Sequence, residues 1–376
     1  MGKHLVFVGG GHAHLTALVR ANEFIQRGHE VTLISPSAYQ YYSGMAPGML
    51  SGIYRPQEIR FHVQKLVEER GAQFIGDSVK AIDPGGRFLA LESGRRISYD
   101  VVSFNTGSEV PVEKSFIAKA ENVFTVKPVI NFLAGRRFIL KTPAGSLKRY
   151  LVIGGGPAGV ELTANLFRLL QGKGDRGKIA LIGGKRVLSG YVSKIRDIAL
   201  RFFQDRGIEV IEGAHVKEMR RTGVSLEDGR SVEFDAAFLA TGIRSSPIFK
   251  DSGLSGGEGG ELLVNSFLQN TSHPEIFGGG DCIAPEGNRL AKVGVYAVRQ
   301  NPILFQNLMA ALEGGALRPF FPQKDFLAIM NMGNGRGILW RKNWVWEGRL
   351  AFLLKDYIDR SFMKKFQVSG ELTEVE

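Results

Sequence analysis

The sequence contains a single cysteine, Cys282, among its 376 residues. One cysteine excludes an internal disulfide and favours a reducing compartment. No uninterrupted apolar run approaches the ~18 residues that a membrane-spanning helix needs. The first β-type run begins so early that no signal peptide is expected before it. These absences predict a cytoplasmic protein without membrane-spanning segments.

Several functional patterns are also absent. No group of histidine, cysteine, aspartate and glutamate residues has metal-ligand spacing, and no serine lies in a hydrolase elbow, so neither a metal site nor a serine hydrolase is expected. Lysine and arginine outnumber aspartate and glutamate by 48 to 37, which gives a net charge of +11. Because no long basic block, zinc spacing or RNA-recognition motif accompanies that charge, a nucleic-acid partner is not expected. The basic residues are spread out, with an excess near the C-terminus, and fit an anionic membrane surface or a solvated exterior better.

Glycine, by contrast, is abundant, with 48 residues. Two glycine-rich turns begin at Gly9 and Gly154, and each lies between a β-type run and a helix-compatible segment. In such a turn the first glycine allows the tight bend, the second lets the backbone approach a pyrophosphate, and the helix N-terminus offers unpaired N–H groups. Two such turns in one chain predict two dinucleotides, a flavin at one and a nicotinamide at the other.

The two halves of the chain follow the same plan. In each half the turn opens a βαβ unit, and the last strand ends in Thr-Gly, at residues 106–107 and 241–242. Helices are expected over residues 15–26 and 59–70, and a helix-like run covers 293–312. We therefore predict an α/β fold with two Rossmann-like domains, the second inserted in the first. The predicted bounds are 1–110 and 243–316 for the first dinucleotide-binding domain, 111–242 for the second, and 317–376 for a C-terminal α/β tail.

Together these features resemble the pyridine nucleotide–disulfide oxidoreductase superfamily, the two-dinucleotide flavoproteins. The resemblance covers residues 1 to about 315 and includes a Gly-Gly-Gly-Asp segment that ends at Asp281. Within the superfamily the chain is similar to the type II NADH dehydrogenase and sulfide:quinone reductase branch. Its segments 9–14, 42–48, 292–301 and 362–366 resemble the NADH-dehydrogenase-like proteins that are sometimes fused to selenide, water dikinase.

The resemblance implies an FAD-dependent NAD(P)H oxidoreductase that passes hydride from NADH or NADPH to FAD, and electrons on to a non-thiol acceptor such as a quinone. Lys292 and the start of the helix near Val293 would tune the flavin. The residues implied to bind FAD are Gly9, Gly11, His12, Ala13, Ser35, Pro36, Val79, Asn105, Thr106, Gly107, Gly280, Asp281 and Val293. Those implied to bind NAD(P)H are Gly154, Gly156, Pro157, Ala158, Gly159, Glu161, Lys185, Arg186, Thr241 and Gly242.

The chain departs from the family pattern at several positions. His14 replaces the third glycine of the first turn and either loosens the helix–strand packing or brings its imidazole to the phosphates. Ser35 replaces the acid that bonds the adenosine ribose, which would weaken FAD binding. Val295 and Arg299 stand where type II dehydrogenases have two glutamines in their quinone-site motif. With Cys282 alone, expected as a buried structural thiol, neither disulfide-reductase nor sulfide:quinone-reductase chemistry can run within one chain.

The choice of nicotinamide nucleotide is open. The strand over residues 179–182 is followed by Gly183, Gly184, Lys185 and Arg186, without the acid that favours NADH. Lys185 and Arg186 either pair with the 2′-phosphate of NADPH or are solvent-facing loop cations.

The C-terminal tail predicts a helix with an apolar face. Its apolar residues at helical spacing are Leu350, Leu353, Leu354, Tyr357, Ile358, Phe362 and Phe366, and its basic residues, expected on other faces, are Lys355, Arg360, Lys364 and Lys365. Such a helix lies on a membrane, forms a homodimer interface or packs on the FAD domain. Two other functions are open: a flavoprotein of sulfur or selenium metabolism that uses an external thiol, and a flavin-binding redox sensor without turnover. The loop at residues 41–49 either covers the flavin or acceptor site or packs in the core.

Overall fold

The computed structural model describes residues 2–112, 120–254, 256, 259–287 and 290–374. The strands are β1 His4–Val8, β2 Glu30–Ile34, β3 Tyr39–Tyr41, β4 Arg60–His62, β5 Gln73–Ile75, β6 Val79–Asp83, β7 Phe88–Leu91, β8 Arg96–Ser98, β9 Val101–Phe104, β10 Val123–Thr125, β11 Arg149–Ile153, β12 Lys178–Ile182, β13 Glu209–Ile211, β14 Val216–Arg220, β15 Gly223–Leu226, β16 Ser231–Glu233, β17 Ala236–Leu239, β18 Leu262–Val264, β19 Ile276–Gly278, β20 Ile283–Pro285, β21 Ala328–Asn331, β22 Gly337–Arg341 and β23 Trp344–Gly348.

The α-helices are α1 Leu15–Val19, α2 Ala21–Gln26, α3 Ala46–Ser51, α4 Val63–Glu68, α5 Ile130–Lys141, α6 Pro157–Lys173, α7 Ser193–Gln204, α8 Ile248–Asp251, α9 Gly294–Glu313 and α10 Arg349–Phe366. Short 3-10 helices cover Ser43–Met45, Pro56–Ile59, Gly280–Cys282 and Glu371–Thr373. No helix in these described ranges is both long enough and apolar enough to cross a bilayer.

Two parallel five-stranded sheets form the framework. The first has the strand order β19-β9-β1-β2-β5 and the second the order β10-β17-β11-β12-β13. Their central strands, β1, β9, β11 and β17, are almost entirely buried, as expected for parallel strands that are covered on both faces. Because β19 follows the whole second sheet in the chain but pairs with β9 in the first, the second unit is inserted in the first. The predicted fold class is confirmed, whereas the domain bounds stay predictions.

Smaller antiparallel sheets accompany the framework. Strands β6-β7-β8 follow β5 in the first unit, and β14-β15-β16 follow β13 in the second. A third sheet, β21-β22-β23, precedes helix α10 and packs against it. Strand β21 also packs on helix α6 of the second unit, so the C-terminal region touches that unit directly.

Two predicted helices differ from the structure. The helix expected over residues 15–26 is divided into α1 and α2 at Arg20, whose dihedrals (φ −108°, ψ 23°) are not helical. The helix expected over residues 59–70 is shorter, because residues 60–62 form β4 and pair antiparallel with β3. A pairing with a distant segment outweighs local helix preference here, since propensities are only tenths of a kcal/mol per residue.

Candidate functional site

The first glycine-rich turn is held against the end of strand β9 by one side chain, Asn105. The Asn105 side-chain oxygen accepts a hydrogen bond from Ala13 N (3.1 Å), and its amide group donates to Gly279 O. Gly9 has φ +86°, and a Cβ on Gly11 would lie 2.0 Å from Asn105 Oδ1, so only glycine fits at these two positions. The backbone N–H groups of Gly11 and His12 have no partner within the described part of the chain. They are therefore free to bind a phosphate.

A cavity of about 750 Å³ opens beside this turn. Of the residues implied to bind FAD, those that line it are Gly9, Gly11, His12, Ser35, Pro36, Val79, Asn105, Thr106, Gly107, Gly280 and Asp281. Ala13 and Val293 are not in the lining, but Gly294 and Ala297, in the first turn of α9, are. The contact of each of these residues with FAD stays a prediction.

Lys127 is a cavity residue that the sequence analysis missed. It follows β10 of the second unit, and its ammonium group is bonded to Asp281 Oδ2 and to Ser108 Oγ (2.8 Å) of the first unit. Burial by itself would raise the pKa of Asp281, but Lys127 and Ser108 outweigh burial, and the pKa is lowered. Asp281 is therefore an ionised acceptor in the cavity wall. No motif marks Lys127, because its partner lies 154 residues away in the chain.

The two histidines of the first turn are both buried and neutral near pH 7. Burial lowers the pKa of each to about 4. His14 Nδ1 donates to Gly9 O (2.7 Å), since a carbonyl can only accept, and His14 Nε2 therefore accepts from Ser103 Oγ (2.8 Å). Both ring nitrogens are thus engaged inside the fold. The alternative in which the imidazole of His14 reaches the phosphates is wrong, because the ring instead joins the turn to β9.

Lys292 lines the cavity, but its ammonium group is already paired. It lies 2.6 Å from Glu261 Oε1 and 3.4 Å from Ser245 Oγ. The role of Lys292 in tuning the flavin stays a prediction. Lys127 is a second cation that lines the cavity, and its ammonium group is paired with Asp281.

The loop at residues 41–49 contributes side chains both to the cavity and to the core, while its role in covering the flavin or the acceptor site stays a prediction. Tyr41 and Ser43 line the cavity, whereas Met45 and Met49 are buried in the core. Tyr42 lies between the cavity and the C-terminal helix: its ring is 5.2 Å from that of His12, and its hydroxyl donates to Asp359 (3.0 Å).

The second glycine-rich turn leads directly into helix α6. A Cβ on Gly159 would lie 1.8 Å from Gly154 O, so the helix packs on the turn only with glycine there. Gly156 has open space around it and supplies the N-cap, with Pro157 and Ala158 forming the first turn of the helix. This arrangement is that of a pyrophosphate-binding helix N-terminus.

The other residues implied to bind NAD(P)H lie around this turn in different environments. Lys185 and Arg186 are exposed in the loop after β12, and Thr241 and Gly242 follow β17. Glu161 Oε1 accepts a hydrogen bond from Asn331 N (2.6 Å), which joins helix α6 to the C-terminal sheet. Burial raises the pKa of Glu161 to about 7, although Lys355 opposes the shift. None of these residues lines the cavity of the first turn.

The single cysteine has no redox partner. Cys282 is completely buried, its Sγ lies 3.3 Å from Gly279 O, and burial raises the pKa of its thiol. It is a structural thiol, as predicted.

Helix α10 has an inner and an outer surface. Lys355, expected on a different face from the apolar residues, lies on the inner surface, where it is buried, donates to Gly44 O (2.7 Å) and pairs with Asp359 (2.7 Å). Burial by itself would lower its pKa, but Asp359 and Glu161 outweigh burial and raise it. Phe366 is buried, and Phe362 packs against Tyr42 and His12. The exposed large apolar residues of the helix are Leu350, Leu353, Leu354, Tyr357 and Ile358.

Comparisons with known proteins agree with this architecture. The family model for pyridine nucleotide-disulphide oxidoreductases matches residues 3–301. A type II NADH:quinone oxidoreductase of Staphylococcus epidermidis is 22% identical over 383 residues, covering 95% of this chain and 94% of the relative. A probable ferredoxin reductase of Castellaniella defragrans is 25% identical over 292 residues, covering 74% and 67%. Among solved structures, the sulfide:quinone oxidoreductase of Aquifex aeolicus has a TM-score of 0.79 at 19% identity and covers 98% of this chain and 92% of its own.

The residues around the two turns fit the cofactors of that family. The first turn combines unpaired backbone N–H groups for a pyrophosphate with an ionised Asp281 in a cavity of dinucleotide size, and the second repeats the turn at the start of a 17-residue helix. Since the family model matches most of its length, the chain belongs to the pyridine nucleotide-disulphide oxidoreductase family and is an FAD-dependent NAD(P)H oxidoreductase.

Proposed function

We propose that this flavoprotein passes electrons from NAD(P)H, through FAD, to a quinone-type acceptor that it takes from a membrane surface. When bound, FAD accepts a hydride and releases the two electrons to an acceptor. The protein's residues position the two dinucleotides, keep Asp281 ionised and select the acceptor. The surface of helix α10 carries the proposal.

The chemistry of the single cysteine argues against a thiol acceptor. Disulfide reductases need a pair of cysteines beside the flavin, and this chain has only the buried Cys282. The electrons must therefore leave the flavin for an external acceptor without an intermediate protein disulfide.

The outer surface of helix α10 supports contact with a membrane. Its apolar side chains at positions 350, 353, 354, 357 and 358 form one stripe, with exposed fractions from 38% at Leu354 to 72% at Tyr357. The exposed Trp344 and Trp346 on β23 precede this helix. Exposed Arg349, Lys364 and Lys365 add positive charge at its two ends. Apolar side chains, interfacial aromatics and basic residues are the features of a helix that lies in the plane of an anionic membrane.

The inner surface of the same helix contacts the wall of the FAD cavity. Asp359 accepts from the Tyr42 hydroxyl, and Lys355 donates to Gly44 O. The neighbouring residues Tyr41 and Ser43 line the cavity. A membrane-bound α10 would therefore hold the cavity wall close to the lipid, where a lipophilic acceptor is concentrated. The names of relatives such as the type II NADH:quinone oxidoreductase agree with this proposal.

The proposal can be tested in two stages with the purified holoprotein. Without oxygen, NADH or NADPH should bleach the visible flavin bands. A short-chain quinone, or a long-chain quinone in anionic vesicles, should then reoxidise the flavin and restore its visible bands in a single-turnover experiment. Flavin that no nicotinamide reduces would support the redox-sensor alternative. The quinone acceptor would be refuted if quinones did not reoxidise the reduced flavin, whereas a sulfur or selenium species with a thiol, or a ferredoxin, did.

A further inference from the structure

We propose that the loop at residues 183–188 is a binding site for the 2′-phosphate of NADPH, so that NADPH and not NADH is the preferred hydride donor. NAD(P)H is the hydride donor in the proposed function, and this proposal rests on that function. It names Lys185 and Arg186 as the residues that determine nucleotide specificity.

The loop lies directly beside the second glycine-rich turn. Strands β11 and β12 pair in register up to Ile153 and Ile182, so the segments that follow both strands leave the sheet at the same edge. Leu188 N donates to Gly155 O (2.7 Å), and a Cβ added to Gly155 would lie 2.5 Å from Gly183 O. The loop is therefore folded back onto the turn that would hold the pyrophosphate. In this fold the adenosine ribose lies next to the end of the second strand, where β12 ends.

The positive charge of the loop favours a nucleotide with a 2′-phosphate over one with a free 2′-hydroxyl. Residues 183–196 contain no aspartate or glutamate. The side chains of Lys185 and Arg186 are exposed, and neither has an ion-pair or hydrogen-bond partner among the residues that the structure describes. His215 contributes a third basic group, because its ring lies 2.9 Å from where a Cβ on Gly184 would be.

The carboxylate of Glu212, beside the loop, is already paired. Glu212 Oε1 accepts from Val187 N (2.5 Å), and Glu212 Oε2 is 2.7 Å from Arg196. Both oxygens thus hold the loop and helix α7 in place, and the Arg196 guanidinium balances the charge of the carboxylate. An acid at the end of β12 favours NADH because it bonds the 2′-hydroxyl and repels a 2′-phosphate.

The first unit provides an internal comparison. There β2 ends at Ile34 in the equivalent register with β1, and the next residue is the neutral Ser35. The adenosine of FAD carries no 2′-phosphate, so that site needs no cation. Of the two equivalent strand ends, the one beside the nicotinamide turn carries the two free cations.

Two measurements on the FAD-loaded protein test the proposal. Calorimetry compares adenosine 2′,5′-bisphosphate with adenosine 5′-monophosphate, which differ only in the 2′-phosphate. Stopped-flow absorbance compares anaerobic flavin reduction by NADPH and NADH. We expect the bisphosphate to bind at least about tenfold tighter, and NADPH to have at least about tenfold higher kcat/KM, since charged hydrogen bonds to phosphate are worth that much.

Two variants show whether Lys185 and Arg186 cause the preference for the 2′-phosphate. Lys185→Gln with Arg186→Gln should remove both preferences, whereas Lys178→Gln, an exposed lysine at the opposite end of the same strand, should keep them. Equal binding of the two adenosine nucleotides, or a preference that the double variant retains, would overturn the proposal. If neither nicotinamide reduces the flavin, the proposed function fails, and the calorimetric comparison alone then decides whether the phosphate site exists.

Discussion

The apolar stripe of helix α10 leads to a quantitative prediction for membrane binding. Leu350 and Leu353 are 60% and 56% exposed, so more than half of each side chain is available to enter lipid. Complete burial of a leucine is worth ~1.5–3 kcal/mol. Scaled by exposure, replacing both residues with serine should weaken partitioning into vesicles by about 1.7–3.5 kcal/mol, or roughly 20- to 350-fold.

Sedimentation with large vesicles, over a range of lipid concentrations, measures that partition coefficient directly. Leu140→Ser, which alters an exposed leucine on helix α5, is the matched control and should bind as the parent protein does. Raising the salt concentration should weaken binding without abolishing it, because the basic residues contribute ~1 kcal/mol each at an anionic surface, whereas burial of the apolar stripe does not depend on charge. Unchanged partitioning of the double serine variant would refute the reasoning. A loss of dimers in light scattering, with vesicle binding unchanged, would identify the stripe as a subunit interface.

Three further predictions concern the turns and the buried titratable groups. Gly159→Ala should destabilise the fold by roughly 1–3 kcal/mol, because the added Cβ would clash with the turn. Gly156→Ala, which has open space at its Cβ, should keep the melting temperature but weaken nucleotide binding. Equal melting temperatures for the two variants would contradict this prediction. Because the folded-state pKa of His14, about 4, is below the unfolded value of 6.5, the neutral ring contributes about 3 kcal/mol that is fully present above pH 6.5 and lost as the pH falls towards 4. Urea titrations should show that His14→Gln loses about 3 kcal/mol less stability than the parent over this range, while His12, whose pKa is also lowered to about 4, keeps its own pH dependence in both proteins. Glu161 has the opposite sign: its pKa of about 7 exceeds the unfolded value of 4.5, so its contribution is present below pH 4.5 and lost as the pH rises through 7, and Glu161→Gln should remove that dependence.

The C-terminal helix illustrates how far a sequence pattern reaches. Helical spacing predicts a helix with apolar side chains over residues 347–366, and the structure contains it from Arg349, because Glu347 and Gly348 end strand β23. The same pattern does not reveal which apolar residues are covered. Phe366 is buried, Leu350 and Tyr357 are exposed, and Lys355 points into the protein towards Gly44. Which side chains are covered depends on the distant segments of the chain that pack against the helix.

The sequence by itself determined the two dinucleotide turns, the α/β fold class and the family. These follow from local chemistry: glycine at a tight turn and the alternation of β-type runs with helical segments are readable within about 30 residues. Only the tertiary structure brought Lys127 to Asp281, joined His14 to Ser103 and paired Lys292 with Glu261. Such contacts join residues that are tens to hundreds of positions apart, and no spacing rule within one segment specifies them.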